Sequence, residues 1–154
     1  MAAIICEGLT DMILALDKLG EIGHQTAVKM VEAGSAQAAA AWENVARSHG
    51  YRKTGAMIGS IGPRGPVAGR GTVLYQTVYP QGSVRRGKSA VTNAEKAFYL
   101  HYGTQRGGVR RVRGSYWVDE VESQAEEPVF SAMEQVYDDF VAESLEANES
   151  GGNA

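Results

Sequence analysis

An α+β domain is predicted, built as a small antiparallel β-sheet with a long N-terminal helix and a C-terminal amphipathic helix packed on one face. Three observations in the 154 residues carry this expectation. Apolar residues recur at helical spacing through residues 21–49, β-branched and aromatic residues alternate through 72–79, and a second helical stripe runs from Val129 to Leu145. At 44% hydrophobic the chain can bury one core, so residues 1–147 are expected to form a single domain, with 148–154 a disordered polar end.

The elements follow in order. Thr10 or Asp11 would cap a short helix through Ile13, Leu16 and Leu19 that ends near Gly20. Over residues 21–49, Ala27, Val31, Ala38, Ala41, Trp42, Val45 and Ala46 fall on one stripe of a helix roughly 40 Å long, with Gly34 and Ser35 its weak points. A strand is expected at 56–61 and a stronger one at 72–79 (TVLYQTVY), paired antiparallel. Glycines and prolines predict flexible loops at 62–71, 82–91 and 105–114. Thr92-Asn93-Ala94-Glu95 has the spacing of a capping box, which starts a short helix at Asn93 that runs to Gly103. Residues 115–118 read as a short strand or docking turn. Pro128 then suits the first turn of the last helix, whose apolar face is Val129, Phe130, Met133, Val136, Tyr137, Phe140, Val141 and Leu145.

Chemistry-bearing motifs are few. Gly82-Ser83-Val84-Arg85-Arg86-Gly87-Lys88-Ser89 matches the phosphate-binding pattern G-x-x-x-x-G-K-[ST], with an apolar-then-acidic stretch at Tyr116-Trp117-Val118-Asp119-Glu120. Such a loop must join a buried parallel strand to a long helix. Here the preceding strand alternates and is stopped by Pro80, and the helix after Ser89 is short, so a basic loop is the better reading and a nucleotide-binding protein the lesser alternative. His24, His49 and His101 lack metal-ligand spacing, and Ser60 misses the nucleophile elbow because Ile58 holds its first position. No catalytic, cofactor or metal site is expected. The single cysteine, Cys6, suits a reducing cytoplasm, and no apolar run approaches membrane-spanning length.

Charge is distributed in blocks. Residues 1–51 hold three basic and six acidic side chains, residues 52–113 twelve basic and one acidic (Glu95), and residues 114–154 eleven acidic and none basic. Arg85, Arg86, Lys88, Arg106, Arg110, Arg111 and Arg113 sit in two loops that flank the short helix, and Lys96 within it, where they suit either nucleic-acid phosphate or the acidic helix of a neighbouring copy. Complementary blocks in one chain favour a head-to-tail ring; neutralisation within the chain is the competing use of the same charges.

Thr54-Gly55-Ala56-Met57-Ile58-Gly59-Ser60-Ile61 resembles the "T-G-x-L-x-x-S-I" signature of the tail-completion or head-tail joining (neck) proteins of lambdoid long-tailed bacteriophages. Ala97-Phe98-Tyr99-Leu100-His101-Tyr102-Gly103-Thr104 is similar to that family's "Y-x-x-E-F-G-T" segment, and Trp117 falls where the family has an aromatic docking turn before its last helix. The resemblance spans residues 8–146. It departs at His101, where the family has an acidic residue, and in the Arg-Gly repeats after Thr104. It implies a virion protein without catalysis or cofactor that forms a ring, expected to be hexameric. Its expected partners are a head connector or stopper protein and a tail tube or tail terminator protein, with transient contact to DNA in the lumen. Candidate contact residues are Arg85, Arg86, Lys88, Tyr99, Tyr102, Arg106, Arg110, Arg111, Arg113 and Trp117.

Overall fold

The computed structural model describes residues 21–51, 55–70, 73–86, 89–106 and 109–151, so the expected first helix lies outside the described residues. The architecture is α+β. Helix α1 spans Glu21–Ser48, a 3-10 turn Ile58–Ser60, strands β1 Ile61–Arg70 and β2 Val73–Pro80, and strands β3 Ser83–Arg86 and β4 Ser89–Thr92. Helix α2 (Asn93–Tyr102), strands β5 (Gly103–Arg106) and β6 (Val109–Arg113) and helix α3 (Trp117–Gly151) complete the chain.

α1 and α3 form the body of the fold. Trp42, near the end of α1, meets Trp117 at the start of α3, whereas Gly34 meets Val129 and Met133 further on, so the two helices run antiparallel. The core side of α1 is Ala27, Met30, Val31, Ala38, Ala41, Trp42, Val45 and Ala46; that of α3 is Trp117, Val121, Ala125, Val129 and Met133, every fourth residue. Gly34, a weak point for helix propensity, sits where the two helices pack closely. A Cβ there would lie 3.1 Å from the Met133 sulfur and 3.2 Å from Val129, so the helix gives up intrinsic stability for a tight crossing.

Pro128 lies inside α3, not at its start. The helix begins eleven residues earlier because Trp117, Val121 and Ala125 extend the apolar stripe backwards; their burial outweighs the cost of about 3 kcal/mol for an internal proline. The helix also continues to Gly151, across the start of the expected disordered end; residues 152–154 lie outside the described residues.

The β region differs from expectation in arrangement. Among the described residues the strands pair as three two-stranded antiparallel ribbons, β1-β2, β3-β4 and β5-β6, and not as one sheet. Each of the three expected loops is largely strand. Two-stranded ribbons have two open edges, so Pro63 and Pro66 can sit in β1 without emptying a ladder position in a central strand. Gly65, at φ +66°, bulges out opposite Gln76, which donates its side-chain N–H to the Gly65 carbonyl at 2.6 Å.

The expected strand at 56–61 is instead a turn followed by the 3-10 segment. Met57 and Ile58 are both buried, and consecutive inward residues are incompatible with strand alternation. Gly59 donates to the Gly55 carbonyl at 2.8 Å and the Ser60 hydroxyl to Met57 O at 2.8 Å, which closes the turn. Strand pairing therefore starts at Ile61, opposite Pro80. The β1-β2 ribbon lies against α1, and α2 joins the core through Ala97 and His101.

Candidate functional site

The local chemistry of α2 fixes where its aromatic side chains go. Thr92 caps the helix: its hydroxyl accepts the Glu95 N–H at 3.1 Å, while the Glu95 carboxylate accepts the Thr92 N–H at 2.7 Å and its hydroxyl at 2.9 Å. Buried Asn93 ties the helix start to the turn at 55–60 and to the residue after β2. Its amide donates to Gln81 O at 2.7 Å, Ser60 Oγ at 3.0 Å and Ala56 O at 3.2 Å, and its Oδ1 accepts from Lys96 at 3.1 Å. The helix ends at Gly103, φ +84°, whose N–H donates to Tyr99 O.

Hydrogen bonds from the Thr92 backbone, and then from its hydroxyl, hold the exposed Glu95 carboxyl below the usual carboxylate range. A lowered folded-state value contributes stability that is present above the unfolded value, about 4.3, and lost as pH falls through the folded value. Glu95→Gln should therefore melt below the native chain at neutral pH, with the gap closing as pH falls below about 4. Thermal melts of both proteins at pH 7 and pH 3 measure this, and a gap that widens in acid would contradict it.

After β6 the chain returns across the end of α2. Gly114 packs on the backbone of His101 and Tyr102, Ser115 N–H donates to Leu100 O at 3.2 Å, and Tyr116, at φ +55°, donates its N–H to His101 O at 3.0 Å. Buried His101 completes the junction. Its Nδ1 accepts the Val118 N–H at 3.2 Å, a role a carboxylate oxygen would also fill, and its Nε2 lies 3.9 Å from Asp119.

This return brings Tyr116 beside α2 and creates a continuous aromatic surface. Phe98, Tyr99, Tyr102 and Tyr116 are 55, 44, 56 and 57% exposed. Ring centroids lie 4.7 Å apart for Phe98 and Tyr102, and 6.2 Å for both Phe98–Tyr99 and Tyr102–Tyr116. The rings meet edge-on or tilted, so they cover one another's flanks and form a patch instead of separate stacking shelves. Exposed apolar patches on a soluble chain mark interaction surfaces.

Arginine ribbons extend from both ends of this helix, since β4 runs into its first residue and β5 leaves from its last. Arg85 and Arg86 occupy β3, Arg106 occupies β5, and Arg110, Arg111 and Arg113 occupy β6, with Arg111 the extra residue of a bulge. Of these, Arg113 has a described side chain, and it is exposed; Lys88 lies outside the described residues. Tyr99 and Tyr102 are thus on the surface as expected, while Phe98 and Tyr116 complete a patch that sequence reading divided between two segments. The run FYLHY carries the signal, because a ten-residue helix can bury only one side of it.

Trp117 is a core residue, which corrects its expected place at an interface. It has no exposed surface, packs edge-on to Trp42 at 5.3 Å and to Tyr51 at 5.5 Å, and donates its indole N–H to Ala97 O at 3.4 Å. The phosphate-loop match also changes meaning. Its described residues, Gly82 to Arg86 and Ser89, belong to the paired strands β3 and β4 and the residue before them, with Arg86 opposite Ser89, an antiparallel ladder and not the strand-to-helix turn that gathers amides around phosphate. Among the described residues no three His, Cys, Asp or Glu side chains are grouped to hold a metal, and no helix is long and apolar enough to cross a membrane.

On α3, Asp119, Glu120, Glu122, Glu126, Glu127, Glu134, Asp138, Asp139 and Glu143 are all exposed. Two histidines touch them among the described residues: His49 Nε2 lies 2.9 Å from Glu120 and His101 Nε2 lies 3.9 Å from Asp119, both carboxylates in the first turn. Of the basic side chains of residues 52–113 that are described, Arg64, Arg70, Lys96 and Arg113 make no ion pair with this helix. No protein-family model, curated protein or solved structure matches the chain.

Proposed function

We propose that the chain is a structural subunit of the neck of a tailed bacteriophage, forming a ring, expected to be hexameric, that completes the tail and joins it to the head connector. The observation that carries the reading is the aromatic patch between two arginine-bearing ribbons, on a chain whose last helix carries exposed acidic side chains with no cationic partner beyond its first turn among the described residues. Geometry of this kind serves binding, with opposite charge setting the register between copies and apolar area holding them. The resemblance in residues 54–61 and 97–104 supplies the phage context, with a connector or stopper on one side and a tail tube or terminator on the other.

A second reading, an oligomer that binds DNA through the basic ribbons, is favoured by the same arginines beside exposed rings. In a tailed phage encoding this chain, deletion of its gene is expected to leave DNA-filled heads and tails unjoined in electron micrographs. Joined, infectious particles from the deletion would contradict the neck role.

A further inference from the structure

Phe130 is 45% exposed on α3, next to Val129, which is buried in the helix pair. Side chains three and four positions away on a helix are surface neighbours, so Phe130 stands among Glu126, Glu127 and Glu134, all exposed. The helix therefore presents an aromatic knob in an anionic surround. The patch on α2 is of the complementary kind: Phe98, Tyr102 and Tyr116 form an apolar centre, and strands that carry arginines in their sequence adjoin both ends of the helix, with Arg113 exposed on one. Stable interfaces have this anatomy, an apolar middle within a polar rim.

We infer that the Phe130 face of α3 is the docking site for the aromatic patch of a second copy of this chain. The inference rests on the ring reading above and names the two surfaces that would meet in it. Several facts select another copy as the occupant. Glu122 to Glu143 have no ion-pair partner among the described residues, while the strands on either side of the patch helix are arginine-rich in sequence and Arg113 is exposed, so the two segments carry opposite charge. Phe130 lies thirteen residues into α3, roughly 20 Å from the Trp117 end where the patch is anchored, so the surfaces are separate. Two different surfaces that fit each other make a head-to-tail contact, which repeats from copy to copy and closes into a ring when the rotation allows.

The test uses two double variants of the full chain, Phe98→Ser/Tyr102→Ser and Glu126→Lys/Glu134→Lys, with circular dichroism to check folding; all four positions are exposed, so the core is left intact. In sedimentation velocity at low salt the native chain should associate, and each variant alone should do so about tenfold more weakly or less well still. Mixed in equal amounts, the variants should form a one-to-one dimer that grows no further, because each brings one intact face. The pairing is overturned if the mixture yields no dimer, if either variant assembles like the native chain, or if the native chain stays monomeric. Rings from the native chain and both variants would leave the ring reading standing and remove this pair of surfaces. Loss of a DNA gel shift in the patch variant, with assembly unchanged, would assign the patch to nucleic acid and likewise overturn the docking.

Discussion

Replacing Trp117 with alanine is expected to destabilise the protein by about 3–5 kcal/mol, a large part of the roughly 5–15 kcal/mol that holds an ordinary domain together. The indole has no exposed surface and joins three elements: Trp42 of α1 and Tyr51 just after it pack on its ring, and the Ala97 carbonyl of α2 accepts its N–H. Truncation leaves a cavity where the helix pair, the start of α3 and the base of the aromatic patch converge. Trp117→Phe should recover most of the packing and lose the hydrogen bond, about 1 kcal/mol. Denaturant titration followed by circular dichroism measures both. A Trp117→Ala protein as stable as the native chain, yet unable to associate, would return this residue to an interface.

The second large effect is expected at Gly114. A Cβ at this position would lie 2.5 Å from the His101 carbonyl oxygen and 2.5 Å from the Tyr102 carbonyl carbon, both backbone atoms that no rotamer change can move. Even alanine must push residues 113–117 off the end of α2. That shift would break the bonds from Ser115 N–H to Leu100 O and from Tyr116 N–H to His101 O, at a cost of about 2–4 kcal/mol. It would also carry Tyr116 away from Tyr102. Gly114→Ala should therefore lower the denaturation midpoint and weaken self-association together, and an unchanged midpoint would show that the return is looser than these distances indicate.

Much of the helical framework is legible in the sequence because its signals are periodic or local. The α1 stripe runs from Ala27 to Ala46 as expected, and the Thr92-Glu95 box forms with both of its reciprocal bonds. Where the reading failed, glycine and proline carried two meanings. In residues 62–71 they suggest a loop, but over 62–70 an open-edged ribbon tolerates them, and in the sequence the glycines at 71, 87 and 107–108 separate the paired strands at hairpin spacing. Pro128 looked like a helix start, although stepping back by four from Val129 through Ala125 and Val121 reaches Trp117.

The site was half legible. Tyr99 and Tyr102 could be named from sequence, but Tyr116 joins them only through a positive-φ backbone and the close seat of Gly114, both consequences of tertiary packing. Trp117 was assigned outward because an aromatic at a docking turn reads alike whether it docks on its own chain or on another. Charge blocks were visible from composition alone. What composition lacked was the placement of arginines at both ends of one aromatic helix, and of a bare phenylalanine among carboxylates on another.

The most direct measurement of contact between the basic middle of one copy and the acidic helix of the next is carbodiimide cross-linking of an equal mixture of unlabelled and 15N-labelled chains, because the reagent joins lysine to carboxylate without a spacer. Expected are cross-links from Lys88 or Lys96 to Glu126, Glu127 or Glu134 in which one peptide is light and the other heavy. Cross-links to α3 found solely within a single isotope, or none to that helix, would contradict association through these complementary faces.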